Sequence, residues 1–83
     1  MYKVKVYISL KKTVADPQGK TVKTALEHLN YSGIEDLRMG KLVELKLKAG
    51  SRAEAEEKVK SMSGKLLVNP IIEDYTFDIE EMR

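Results

Sequence analysis

The feature that most limits the possible folds of this chain is the proline at position 70. Pro70 has no backbone N–H and biases Asn69 away from helical geometry, so a helix that reaches this point ends there. The residues that follow, 71–79, are rich in β-branched and aromatic side chains, a composition that favours a strand. The sequence therefore predicts a stop and a turn at Asn69–Pro70 and then a strand.

The first ten residues predict another strand. Apolar side chains occupy the even positions of residues 2–10, and Lys3, Lys5, Tyr7 and Ser9 occupy the odd ones. An alternation with a period of two is typical of a strand that has one buried and one solvated face. If this strand pairs with the last one, Lys3 and Lys5 lie across from Asp74 and Asp78.

A helix is predicted after Asp16. Asp is a good N-cap and Pro17 suits the first helical position, although Asp16–Gly19 also fits a type I turn. The apolar residues that follow have the spacing of one helical stripe: Val22, Ala25, Leu26 and Leu29. Asn30 and Gly33 can supply the left-handed residues that end the helix.

Strand character returns over residues 34–47, with an interruption at Met39–Gly40. Glycine in a strand pattern marks a turn, a bulge or a bend, so this stretch is either one long bent strand or a hairpin. Ser51 and Glu54 then form a capping box that begins a second helix. Gly64 is placed to end that helix.

The order of these elements is strand, helix, strand or hairpin, helix, strand. It predicts an α+β fold: a single domain over 1–83 that forms a two-layer α/β sandwich of the ferredoxin-like β-α-β(-β)-α-β kind. Both helices are expected on one face of a small antiparallel sheet. The acidic end of the chain, residues 80–83, is expected to fray.

Composition excludes several classes of function. The chain has 83 residues and no cysteine, which argues against a disulfide framework and for a cytoplasmic setting. No apolar run is long enough to cross a membrane. The net charge is only +2, and acidic residues predominate after residue 50, so we expect no nucleic-acid partner. A domain this small is marginally stable alone, and self-association would stabilise it.

No catalytic constellation is evident in the sequence. His28 is the single histidine, and it lies beside the apolar stripe of its helix without a partner that could orient it. Glu73 and Asp74 are adjacent on a strand, so their carboxylates point to opposite faces and do not share a proton or an ion. Glu73 falls on the otherwise apolar face. It either reaches solvent at the end of the strand or meets a basic group of a neighbour.

Three tracts together carry a family resemblance. They are DPQGKTV at 16–22, LRMGKLVEL at 37–45 and KLLVNPIIEDY at 65–75. In kind, order and spacing they resemble the PurS family, the small subunit of phosphoribosylformylglycinamidine (FGAM) synthase. The resemblance implies a subunit without catalytic residues, cofactor or metal of its own, which bridges the PurL synthetase and the PurQ glutaminase and supports ammonia transfer. ATP and magnesium are then expected in PurL, and self-association as a dimer or a dimer of dimers.

The same resemblance implies that the residues of the three tracts serve partner contacts. The candidate interface residues are Asp16, Pro17, Gln18, Gly19, Arg38, Gly40, Lys41, Asn69, Pro70, Glu73, Asp74 and Tyr75. Structural roles compete with this interpretation, because Asp16 can cap a helix, Gly40 can bend a strand and Pro70 can end a helix. The alternative function is a regulatory module of the ACT type, which shares a βαββαβ plan and binds a small ligand.

Overall fold

The computed structural model describes residues 1–82, which form three strands and two helices. The elements in chain order are β1 (Tyr2–Leu10), α1 (Pro17–His28), β2 (Gly40–Leu47), α2 (Arg52–Met62) and β3 (Glu73–Glu81). A π-helical turn, Ser63–Leu67, extends α2. The α+β class and the β-α-β-α-β order predicted from the alternation and capping signals are confirmed.

β1 is the central strand of the sheet. It pairs antiparallel with β2 on one side and with β3 on the other, giving the order β2-β1-β3. Val4 lies between Leu45 and Ile79, and Val6 lies between Val43 and Phe77. Val4 and Val6 are therefore flanked by apolar side chains on both neighbouring strands, and the face that they share with Tyr2 and Ile8 is the core.

α2 covers the core face of the sheet. Ala55 and Val59, four residues apart on its apolar stripe, have no exposed surface, and α2 packs against β1 and β3. The buried apolar set is Tyr2, Val4, Val6, Ile8, Ala55, Val59, Val68 and Ile79. Most of these side chains are small, so the core is thin.

α1 does not cover the sheet in the same way. Gly19 is its single buried residue, and the predicted stripe from Val22 to Leu29 is half-buried or exposed. The helix is fastened instead to the segment that follows it, since Lys23 Nζ lies 3.2 Å from the carbonyl oxygen of Glu35. The expectation that both helices pack on one face is confirmed for α2 and wrong for α1.

The segment 30–39 corrects a second prediction. It is neither the first half of a bent strand nor one arm of a hairpin, because β2 begins at Gly40 and the preceding residues pair with no strand. Its polar contacts run to α1 and to the turn after β1: Met39 N donates to Asp16 Oδ2 over 2.7 Å, and Arg38 Nη2 donates to the carbonyls of Lys11 and Val14. The left-handed residues that end α1 are the predicted ones, Asn30 with φ 70° and Gly33 with φ 86°.

The start of α2 follows its prediction and its end does not. Ser51 Oγ accepts from Glu54 N at 3.2 Å, and the Glu54 carboxylate reaches back to Gly50 N at 2.7 Å. Gly64 does not end the helix, because it lies inside the π-helical turn, which Val68 N closes on the carbonyl of Ser63 at 3.0 Å. The turn at Asn69–Pro70 ends the helical segment instead.

β3 begins and ends later than predicted. Ile72 N and Glu73 N both donate to the carbonyl of Asn69, so residues 69–72 form a turn and the strand starts at Glu73. Glu80 and Glu81 pair with Lys3 and Tyr2 of β1, so the tail does not fray up to residue 82. The prediction for Arg83 lies outside the described residues.

The expected charge pairing across β1 and β3 is half right. Lys5 faces Asp78 as predicted, whereas Lys3 faces Glu80 and Asp74 faces Ser9. The difference follows from antiparallel pairing: Lys3 and Lys5 are two residues apart and face residues that are two apart on β3, whereas Asp74 and Asp78 are four apart.

Candidate partner interface

The three tracts that carry the family resemblance meet at one end of the sheet. Ser9, near the end of β1, pairs with Gly40 at the start of β2 and with Asp74 at the start of β3. Asp16, which caps α1, is joined to this end through its contact with Met39. Residues up to 59 positions apart in the sequence thus form one surface. We call it the tract end, and it consists of residues 16–19, 38–41 and 69–75.

Asp16 uses both carboxylate oxygens to hold the tract end together. Oδ1 accepts from Gly19 N at 2.9 Å, which caps α1, and Oδ2 accepts from Met39 N at 2.7 Å, which fixes the approach to β2. These N–H groups, Gly19 first, and then the charge of Arg38 lower the pKa of Asp16. The carboxylate therefore stays ionised and joins a helix start to a strand start.

Gly19 and Pro17 explain why α1 can begin so close to the following segment. A Cβ on Gly19 would lie 2.7 Å from the carbonyl oxygen of Leu37, closer than side-chain carbons approach, so a larger residue would push the two segments apart. Pro17 occupies the first turn of α1, where no N–H is needed.

Arg38 braces the connection between β1 and α1. Its Nη2 donates to the carbonyl of Lys11 at 3.0 Å and to that of Val14 at 2.8 Å. Both acceptors belong to the turn after β1. The guanidinium of Arg38 thus joins the segment that follows α1 to the turn that precedes it.

Glu73 resolves the two alternatives left open by its position on the apolar face. It is buried, with 8% of its surface exposed, and it meets a basic group of the neighbouring sheet edge. Oε1 accepts from Asn69 N at 2.8 Å, and Oε2 lies 3.3 Å from Lys41 Nζ of β2. The N–H of Asn69, and then Lys41, lower the pKa of Glu73.

Gly40 and Asn69 have local structural roles in the same surface. A Cβ on Gly40 would lie 2.7 Å from the carbonyl oxygen of Ile8, so glycine permits β2 to begin close against β1. Asn69 Oδ1 accepts from Ile71 N at 3.1 Å, forming the turn that also contains Pro70.

The remaining tract residues present exposed groups. Gln18 and Pro70 are exposed, Tyr75 is half-buried, and Asp74 pairs with Lys11 Nζ at 3.0 Å on the surface. Two open grooves flank them. One, of ≈ 230 Å³, is lined in part by Asp16, Gln18, Met39, Gly40, Lys41 and Glu73; the other, of ≈ 420 Å³, is lined in part by Lys11, Gly64, Pro70, Asp74 and Tyr75.

Lys11 and Met39 belong to this surface although sequence reasoning did not select them. Lys11 contributes its ammonium to Asp74 and its backbone N–H to the carbonyl of Ile72 at 2.8 Å. The one sequence signal for Lys11 was its position directly after the alternating strand, at the end of the sheet where the tracts meet. Nothing in the sequence around Met39 indicated that its N–H would meet Asp16.

The described residues lack a metal-binding cluster and a membrane-spanning helix. Residues 1–82 contain no group of three or more His, Asp or Glu side chains that could hold a metal ion. His28 is exposed on α1 and is not one of the residues of the tract end. In the same described part of the chain, neither helix has the length and apolar character needed to cross a membrane. The fold defines a small α+β protein with a three-stranded antiparallel sheet and two helices.

Comparison with known proteins gives the family. The family model described as "PurS: Phosphoribosylformylglycinamidine (FGAM) synthase" matches residues 3–81. The PurS subunit of Bacillus subtilis FGAM synthase is 48% identical over 99% of this chain and 96% of its own length. The chain belongs to the PurS family.

Solved structures agree over the whole fold. A Methanocaldococcus jannaschii PurS structure has a TM-score of 0.91 at 34% identity and covers 100% of both chains. A chain of the "Structure of PurLQS from Thermotoga maritima" has a TM-score of 0.89 at 30% identity and covers 95% of this chain and 96% of its own. The fold of this chain is therefore shared with experimental structures of PurS.

Proposed function

We propose that this chain is the non-catalytic PurS subunit of FGAM synthase in purine biosynthesis, and that it holds PurL and PurQ together. The observation that carries the proposal is the meeting of the three tracts at one surface of a chain that belongs to the PurS family. The similar Thermotoga maritima chain comes from a structure named PurLQS, which supports PurL and PurQ as the proposed partners.

The tract end is suited to this role because its backbone is fixed before any partner binds. Asp16, Arg38 and Glu73 each bond to two groups, so the exposed groups of Gln18, Lys41 and Asp74 are carried on a braced frame. A surface that is ordered in advance loses less conformational entropy on binding. In this proposal the reaction, with its ATP and magnesium, takes place in PurL, and the complex works in the cytoplasm.

Reconstitution with purified PurL and PurQ tests the proposal. Glutamine-dependent FGAM formation should require this chain, whereas synthesis from added ammonia by PurL should not, because only ammonia transfer between PurQ and PurL needs the bridge. If both activities are the same with and without the chain, the proposal is wrong.

A pair of variants locates the contact. Gln18→Ala removes an exposed amide of the tract end and should weaken binding to PurL or PurQ, with unchanged circular dichroism. Glu57→Ala, an exposed residue of α2, is the control. If both variants bind PurL and PurQ equally well, Gln18 is not part of the interface.

We further propose that the chain self-associates, because it exposes more surface than a compact monomer. A compact domain of this length has a radius of gyration of about 12 Å, whereas this chain has 16.3 Å and extents of 50 × 30 × 15 Å. A folded monomer of this mass exposes about 5,000 Å², whereas this chain exposes 6422 Å². The excess, about 1,400 Å² per chain, has the size of an obligate homodimer interface.

Light scattering coupled to size-exclusion chromatography measures the mass of the chain alone. A dimer or tetramer supports self-association, and a 9.4 kDa monomer contradicts it. The ACT-like alternative is tested separately by titration calorimetry with amino acids. Saturable heat would favour a regulatory module, and its absence favours the assembly subunit.

A further inference from the structure

Ser63 has a buried hydroxyl without a hydrogen bond. The residue has no exposed surface, and its Oγ has no hydrogen-bond partner among the described residues, 1–82. A buried serine in a helix can donate to the carbonyl four residues earlier, but Ser63 forms no such bond. Because an unpaired buried polar group costs stability, this hydroxyl calls for a partner that the chain alone does not supply.

The backbone is also unusual at this residue. Ser63 begins the π-helical turn that extends α2, and its carbonyl accepts from Val68 N at 3.0 Å. π-Helical turns are rare, and they occur frequently at functional sites. The unpaired hydroxyl and the uncommon turn therefore coincide at one position.

Ser63 forms part of the wall of the larger groove at the tract end. This groove has a volume of ≈ 420 Å³ and lies between the π-helical turn and the start of β3. Sites for small molecules have volumes of roughly 300–1,000 Å³ and are mostly apolar, with a few polar groups that orient the ligand. Val68, Pro70 and Tyr75 give this groove apolar walls of that kind.

The charged groups that line the groove already have partners within the chain. Lys11 Nζ lies 3.0 Å from Asp74 Oδ1. The Glu73 carboxylate accepts from the backbone N–H of Asn69 and pairs with Lys41. An ionic ligand would meet no unpaired counter-charge here, so the lining favours a neutral molecule. The Ser63 hydroxyl remains as a polar group that can still form hydrogen bonds.

We propose that this groove binds a small neutral aromatic molecule that carries a hydrogen-bonding group. The ring lies against Pro70 and Tyr75, since flat rings pack favourably on aromatic side chains. Rotation about the one side-chain torsion of Ser63 turns its hydroxyl to the polar group of the ligand. The site goes beyond the proposed subunit function and does not rest on it.

Nuclear magnetic resonance titration of the ¹⁵N-labelled chain with phenol tests the site. Phenol combines an aromatic ring with one hydroxyl, and it should shift the amide signals of groove residues such as Gly64, Val68 and Tyr75 in a saturable way. Toluene is the matched probe, because it has a similar ring and no hydrogen-bonding group. No saturable shift with phenol, or shifts confined to residues outside the groove, would show that the proposal is wrong.

Two serine variants measure the contribution of the hydroxyl. Ser63→Ala should raise the dissociation constant of phenol about fivefold, the loss expected for one neutral hydrogen bond, and should not weaken the binding of toluene. Ser61→Ala, at an exposed position of α2, is the control and should change neither constant. If Ser63→Ala affects phenol and toluene equally, the hydroxyl does not bind the ligand and the proposal fails.

The melting temperature without any probe gives an independent readout. Ser63→Ala should melt at the same temperature as the natural chain or higher, because the substitution removes an unpaired buried hydroxyl. A lower melting temperature would mean that the folded chain already satisfies this hydroxyl, which contradicts the proposal. None of these results changes the glutamine-dependent assay, so the site and the subunit function are tested separately.

Discussion

Asp16 and Glu73 each use both carboxylate oxygens to join segments that are far apart in the sequence. Asp16 bonds to Gly19 and to Met39, and Glu73 bonds to Asn69 and to Lys41. Carboxylates that accept backbone N–H bonds in this way order the chain around them. The residues selected as partner contacts therefore divide into those that brace the surface and those that present it.

The acid sensitivity of the fold should depend on Glu73. Its pKa lies below the ordinary value of 4.5, first because of the Asn69 N–H and then because of Lys41. A lowered pKa contributes stability that is fully present above the unfolded pKa and is lost as the pH falls through the folded pKa. The melting temperature of the natural chain should fall below about pH 4.5, and that of Glu73→Gln should fall less steeply.

Circular dichroism melts across pH 3–7 measure this difference. Asp78→Asn is the control, because Asp78 is exposed on the other face of the sheet and should leave the shape of the curve unchanged. Asp16 has a lowered pKa for similar reasons, so some acid dependence remains in Glu73→Gln. Identical slopes for Glu73→Gln and the natural chain would contradict the assignment.

Two glycines should respond differently to one methyl group. Gly40→Ala places a Cβ against the backbone oxygen of Ile8 and should destabilise the chain by about 1–3 kcal/mol. Gly64→Ala is the matched variant, since nothing lies within 4 Å of its Cβ and the residue is helical. Urea unfolding should give a lower midpoint for Gly40→Ala alone; equal midpoints would show that β2 can shift without cost.

At the scale of elements, the two helices differ in what their apolar residues meet. α2 turns Ala55 and Val59 onto β1 and β3, and its capping residues fix where it begins. α1 has the stronger periodic pattern in the sequence but buries only Gly19. Amphipathic pattern shows that a helix has an apolar side, but it does not identify the chain that covers that side.

The cap of α2 should contribute measurably to stability. Ser51→Ala removes the acceptor for Glu54 N and should lower the free energy of unfolding by about 1 kcal/mol. Ser61→Ala, in an exposed position within α2, is the control and should change it little. Chemical denaturation of both variants decides the matter: a Ser51→Ala chain as stable as the control would mean that Glu54 caps through Gly50 alone.

At the scale of the whole molecule, the chain is long and its core is thin. The sheet and α2 pack together, whereas α1 does not pack closely on the sheet, and the molecule measures 50 × 30 × 15 Å. A thin core gives little stability to an isolated chain. Association would then supply a large part of the stability of the folded state.

The melting temperature should therefore rise with protein concentration. Association stabilises the folded state by mass action, so dilution from about 100 μM to 1 μM should lower the melting temperature by several degrees. Calorimetry measures the melting temperature at the high concentration, and tyrosine fluorescence measures it at the low concentration. A melting temperature independent of concentration, together with a monomeric mass, would contradict the proposed self-association.

Local sequence signals located most of the helices and strands. They gave wrong boundaries where contacts between distant residues determine where an element begins. Alternation placed β1, and Ser51 with Glu54 placed the start of α2, because each signal acts within a few residues. The predicted extent of β2 was wrong because Met39 bonds to Asp16, 23 positions earlier, and not to a strand. β3 starts later than predicted because the carbonyl of Asn69 accepts from two following N–H groups, which makes residues 69–72 a turn.

For the candidate site, the sequence by itself determined the tracts and their residue types, the helix caps and the apolar faces, since these follow from neighbouring residues and from period. The tertiary structure alone decided that the three tracts form one surface, that Glu73 meets Lys41 across β1, and that α1 leaves its own sheet uncovered. These features depend on strand register and on hydrogen bonds between residues far apart in the chain. No local pattern specifies such contacts, because their energy exists only once the backbone has folded.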